Sequence, residues 1–271
     1  MVMPANFLAM SPEFERVKAD LIAARENYAA LVEEYTQLIN VVGPNLESIY
    51  MMKLGRKEHA LFSCRIEIQR LKREISLFQT AVNRNESISV ETVNKIIEKE
   101  FAEYRQQLEE QQEKLRAAQI HYSAEKWSEE EVREFKKIYH NIVRKLHPDL
   151  NPHLPEGAKQ LWHRIQTAYK SNCWSEFFIL ADAVDEMSAG KDDYVGQIDT
   201  LASLREELEK ILKKIGDLKK QFEDTRKHVP FSYEKILSSP VQINAKCFEL
   251  DKQLAICQEH LKTLKEIRSQ Y

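Results

Sequence analysis

The string Arg144-Lys145-Leu146-His147-Pro148-Asp149-Leu150-Asn151-Pro152 sets an imidazole and a carboxylate on either side of a proline, directly after two cations. Proline disfavours helical geometry at the residue before it and cannot donate to a helical ladder, so a helix reaching Leu146 stops at His147. Asp149 then falls where the chain turns, its carboxylate free to bond locally or to face outward. Upstream, Arg133, Lys137, His140 and Arg144 recur at helical spacing as one stripe, with Lys136 beside it and Lys145 further round. A concentrated cationic face next to one presented carboxylate is recognition chemistry, suited to an acidic partner. The plain alternative is an ordinary solvated helix surface, since cations near a helix C-terminus also suit its dipole.

Other reactive side chains form no comparable set. His140, His147, His153 and His163 lie near Cys173 in sequence, but their intervals match no zinc pattern. Cys64, Cys173, Cys247 and Cys257 lack C-x-x-C spacing and read as reduced thiols at helix seams. His59, His121, His228 and His260 read as helix-surface residues. There is no G-x-S-x-G, no phosphate loop and no Cys/His arrangement at a telling interval. No enzymatic activity, metal or cofactor is therefore expected.

The chain has 271 residues and a net charge of −3, so bulk electrostatics argue against nucleic acid or an anionic membrane as partner. Hydrophobic residues make up 43% while glycine and proline number only 6 and 8, which fits long solvated helices rather than disorder. No apolar run approaches the roughly 18 residues of a membrane span. The opening MVMPANFLAMSPEF lacks a cationic start and a long apolar core, so no signal peptide is expected, and the reading is a cytoplasmic protein.

The elements that position the triplet are helices throughout. Phe14, Val17, Leu21, Ala24, Tyr28, Leu31, Tyr35 and Leu38 step by threes and fours, as do Leu61, Cys64, Ile68, Leu71, Ile75, Phe78 and Val82. With Gly43-Pro44 as a breaker, the two seams predict an antiparallel coiled-coil hairpin over 11–84. After a polar break at 83–89, one long connecting helix is expected over 88–126. Residues 127–188 hold all three tryptophans, lose the heptads and read as a compact module, closed by Ala189-Gly190 and the charged turn 191–193. Heptads return in Leu201, Leu204, Leu208, Ile211, Ile215, Leu218 and Phe222, and again in Ile243, Cys247, Leu250, Leu254, Cys257, Leu261 and Leu264. Breaks at 228–230 and 238–240 make 192–271 a second hairpin. The fold class is all-α.

Within the central module, Ser128 with Glu131 forms a capping box, and Val132, Phe135, Tyr139, Ile142 and Leu146 form the buried stripe of the helix that follows. A Pro-rich loop leads to a second helix with Leu161, Ile165, Ala168 and Tyr169 on one face, giving an antiparallel pair. The segment 172–180 adds a further helix, with Trp174, Phe177 and Phe178 as core.

The run from Tyr139 to Pro152, followed by Ile165-Gln166-Thr167-Ala168-Tyr169, resembles helix II, the His-Pro-Asp loop and helix III of the J-domain of DnaJ-like cochaperones. The resemblance covers about 60 residues. The short Tyr-rich first helix of that family is not visible, and Leu115 to Trp127 is the candidate to cover the third side. The Gly/Phe-rich linker, zinc-binding repeats and β-rich client domains of DnaJ do not occur in the sequence, which places the resemblance with the J-domain-only group. What it implies is a non-enzymatic protein that docks on a 70 kDa heat-shock ATPase and stimulates its ATP hydrolysis. His147, Pro148 and Asp149 would be the trigger, and Arg133, Lys136, Lys137, His140, Arg144 and Lys145 the docking surface. The coiled coils would bind a client or partner, or form a homo-oligomer. The competing reading is a structural coiled-coil scaffold whose J-like domain does no work on a chaperone.

Overall fold

The computed structural model describes residues 11–124, 127–188, 195 and 198–271. The module's expected closing turn at 189–193 lies outside them, as does the end of the expected connecting helix at 125–126. Among the described residues there are helices and no strands, and the all-α class stands. No helix there is long and apolar enough to cross a membrane.

Helix α1 spans Pro12–Gln37, with Ser11 accepting the Phe14 N–H as its cap and Pro12 in the first turn. The expected break at Gly43-Pro44 does not occur. A π-helical turn over Leu38–Val42 leads into α2 at Gly43–Tyr50, a second π turn follows at Met51–Gly55, and α3 runs from Arg56 to Asn83. The first π turn explains why Pro44 is tolerated. Gly43 N–H bonds to the Leu38 carbonyl five residues back, so the widened turn moves the ladder away from the spacing a proline ring obstructs. The polar break holds: α3 stops at Asn83, Asn85 takes a positive φ of 54°, and Ser89 caps α4 at Val90–Glu100. The connecting helix is two helices, because Phe101 leaves helical geometry before α5 at Ala102–Ser123.

The module supplies α6 at Glu129–Leu146, α7 at Glu156–Lys170 and α8 at Trp174–Ser188. The last third supplies α9 at Leu201–Lys227, a 3-10 turn at Phe231–Tyr233 with α10 at Glu234–Leu237, and α11 at Pro240–Arg268.

The chain divides into two compact units, residues 1–43 with 125–228, and 44–124 with 229–271. The hairpin expectation fails on partners and on direction. In the first unit α1 packs along α9. Glu13 pairs with Arg205, and Tyr35 meets both Phe222 (6.0 Å between rings) and Thr225 (3.2 Å), so contacts advance together and the helices are parallel. In the second unit α3 packs along α11. Lys57 pairs with Asp251, Arg65 with Gln253 and Glu74 with Arg268, again in parallel order. A short turn can join only antiparallel neighbours, so parallel pairs require partners far apart in the chain.

The seams themselves are as read. Leu21, Ala24, Tyr28, Leu204, Ile211 and Ile215 are buried in one unit, and Leu61, Cys64, Leu71, Leu250, Cys257 and Leu264 in the other. Helix α5 belongs to the second unit and packs on α3 and the second π turn, where Gly55 permits the approach: a Cβ there would lie 2.7 Å from Met51 Sδ and 3.1 Å from Leu115 Cδ2.

Candidate functional site

Helix α6 begins with the expected box: Ser128 Oγ accepts the Glu131 N–H at 3.2 Å, and Glu131 accepts the Ser128 N–H at 2.7 Å. Those bonds hold the Glu131 carboxyl below the usual range. Phe135, Tyr139, Ile142, Val143 and Leu146 form its buried face, while Val132 is half-buried. Phe135 meets Tyr169 at 5.1 Å and His147 meets Trp162 at 5.2 Å, so α6 and α7 are antiparallel. Phe177 is fully buried against Phe135, whereas Phe178, expected in the core, is 39% exposed.

His147 ends α6 with an extended ψ of 127°, as the following proline demands. Its carbonyl accepts the N–H groups of Leu150 and Asn151, and Asn151 Nδ2 reaches back to the Arg144 carbonyl at 2.9 Å, so the loop closes the helix end itself. The Leu150 side chain is fully buried and anchors the turn, with Pro148 exposed at its tip. The His147 ring sits edge-on to Tyr28 and Trp162, and its Nδ1 accepts the Asp149 N–H at 3.1 Å. Burial, with help from Lys214, pushes its pKa below the ordinary 6.5 despite the nearby Asp149. The neutral ring with the proton on Nε2 follows.

Asp149 is half-exposed, with 39% of its side chain accessible, and both oxygens have partners: the Tyr28 hydroxyl donates to Oδ2 at 2.5 Å, and Lys214 Nζ lies 2.8 Å from Oδ1. Burial raises its pKa, but the bonds from Lys214 and Tyr28 and the neighbouring His147 outweigh that and hold it below the usual carboxylate range. Arg25 donates to the Leu150 carbonyl at 2.5 Å. Tyr28 and Arg25 come from α1 and Lys214 from α9, so it is the parallel pair that grips the loop.

The basic stripe is divided in the same way. Glu26 on α1 accepts from His140 at 3.2 Å and from Arg144 at 3.3 Å. Lys136, Lys137, His140, Asn141 and Arg144 line a shallow groove together with Glu33, whose carboxyl burial holds above the usual range although Lys136 and His140 offset part of the rise. Lys145 points elsewhere, to Asp185 on α8 at 3.0 Å, with only 14% of its side chain exposed. Arg133 and Lys137 are exposed.

What the sequence reading missed is a second face on α1. Arg25, Glu26, Ala29, Val32, Glu33 and Thr36 follow helical spacing off the heptad seam. Ala29 and Val32 are buried, and Thr36 meets the Tyr139 hydroxyl at 3.4 Å. Two consecutive small or apolar positions outside the seam, flanked by charge, were the available signal. This face covers the side of α6 that Leu115 to Trp127 was expected to cover.

Comparisons with known proteins return no match: no family model fits the chain, and no curated protein and no solved structure matches it.

Proposed function

We propose that this chain is a J-domain-like cochaperone that docks on a 70 kDa heat-shock ATPase and stimulates its ATP hydrolysis. The observation that carries the reading is the loop at 147–151: a helix end closed by its own side chains, with Pro148 at an exposed tip and Asp149 ionised beside a cationic helix. Such a turn presents a carboxylate in fixed geometry, and the exposed Arg133 and Lys137 add a field that steers an acidic surface toward it. The chain would do no covalent chemistry and need no cofactor. The client or partner role of the coiled coils is supported by α11, where Val241, Phe248 and Ile256 are 77%, 73% and 63% exposed outside the seam.

One observation favours a second reading, a structural scaffold: Asp149 is already paired within the chain. Steady-state ATP hydrolysis by the host's own heat-shock ATPase separates the two. At saturating chain concentration the cochaperone raises the rate, and Asp149→Asn abolishes the increase. No increase with the wild-type chain leaves the scaffold.

A further inference from the structure

Several polar features that would meet a chaperone on the loop side of α6 already have an internal counterpart. The Asp149 carboxylate, which would need a cation or donor on the partner, has Lys214 and Tyr28. The end of the basic stripe, which would need carboxylates, has Glu26 on His140 and Arg144. The loop carbonyl of Leu150 has Arg25. These groups come from two helices, α1 and α9, that pack along each other.

We infer that the α1–α9 pair is an intramolecular clamp that competes with the heat-shock ATPase for Asp149 and the His140–Arg144 end of α6, so that the chain passes between a closed, docking-silent state and an open, docking-competent one. This inference rests on the cochaperone reading given above.

Closure has a defined consequence. A partner that binds only the open state binds with an apparent dissociation constant equal to the intrinsic one divided by the open fraction. The polar part of the grip is a few charge-assisted hydrogen bonds at a half-exposed site, so the loop and the stripe end can be released while Ala29 and Val32 stay packed on α6. Arg133 and Lys137 stay exposed, so initial electrostatic encounter survives closure and the clamp governs the step after it.

The test is a titration of the full chain into the host's heat-shock ATPase, reading the concentration that gives half-maximal ATP hydrolysis. The variant is Tyr28→Phe with Lys214→Met, which removes both donors to Asp149, keeps the buried ring at 28 and leaves α6 untouched. Amide hydrogen exchange at 149–151 reports whether the loop has been released. The expected result is faster exchange, an unchanged plateau rate and a half-maximal concentration lower by about tenfold, as for a tenfold rise in open fraction. Adding Asp149→Asn to that variant returns hydrolysis to the unstimulated rate.

Faster exchange with an unchanged half-maximal concentration overturns the clamp and leaves the cochaperone reading standing. Unchanged exchange overturns it too, because those bonds then do not hold the loop. Absence of stimulation by both wild type and variant removes the cochaperone reading, and the clamp with it.

Discussion

The Tyr28 hydroxyl donates to Asp149 Oδ2 at 2.5 Å across 121 positions of sequence. One bond thus joins the coiled-coil seam to the loop at 147–151. Tyr28 occupies a seam position and is only 5% exposed, so its ring packs as a core residue while its hydroxyl reaches the loop. Burial and the Asp149 charge push its own pKa far above the ordinary value, which keeps it a donor at any physiological pH.

Asp149 is therefore a structural residue as well as a candidate trigger. Asp149→Asn and Tyr28→Phe are each expected to lower unfolding stability by about 1 kcal/mol, the low end for a hydrogen bond to a charged group because the carboxylate is partly solvated. Urea unfolding of the full chain measures this. An unchanged midpoint in both variants would mean that the bond contributes nothing.

Acid should loosen the loop in two stages. The groups facing His147 are Tyr28, Trp162, Asp149 and Lys214, and its pKa lies below 6.5 in the closed loop. An opened loop takes up the proton first, so the contribution from His147 is fully present above pH 6.5 and is lost as pH falls from there to its depressed closed-state value. A proton on Nδ1 also removes the acceptor of the Asp149 N–H. Asp149, itself below 3.8, adds a second loss beneath that pH. Exchange protection at 149–151, corrected for intrinsic rates, is expected to fall between pH 7.5 and 5. Constant protection over that window contradicts the assignment.

Much of this was legible in local sequence. The Ser128 box, the stop at His147 and the Phe135–Tyr139–Ile142–Leu146 stripe each follow from steric or hydrogen-bonding rules acting within a few residues. The seams were legible too, but their partners were not. A heptad pattern states that a stripe needs burying and is silent on direction and on which of four similar seams does so. Gly43-Pro44 misled for a related reason. Proline excludes α-helical spacing, and a single π turn is a way around it that composition does not reveal. The Asp149 grip depends on the register of two helices that are nearly two hundred residues apart, so no local pattern could carry it.

The parallel pairing of α3 and α11 has a chemical signature. Cys64 and Cys257 are both buried in that seam, and burial followed by the neighbouring Cys257 pushes the Cys64 thiol up to about 11. Oxidation of the native full chain at alkaline pH, where the thiolate forms, is expected to join Cys64 to Cys257. Tryptic mapping by mass spectrometry reads the linkage. An antiparallel hairpin over 11–84 would leave Cys64 without this partner, and failure to recover the Cys64–Cys257 peptide under conditions that oxidise the half-buried Cys247 thiol would contradict the parallel pair.

The exposed cations should act on encounter. Arg133→Glu with Lys137→Glu alters no ion pair seen within the described residues. It is expected to slow association with the heat-shock ATPase by about tenfold at low salt and to flatten the salt dependence, with dissociation little changed. Stopped-flow association at several ionic strengths measures it. An association rate insensitive both to salt and to the substitution would remove electrostatic steering from the account.

The most direct single measurement is hydrogen exchange of the wild-type chain with and without the ATP-loaded heat-shock ATPase. The account predicts protection gained over 133–147 on α6 together with protection lost around Tyr28 on α1 and Lys214 on α9, as the partner takes the place of the internal clamp. Unchanged exchange at all three places, under conditions where the ATPase is active on a known cochaperone, would contradict it.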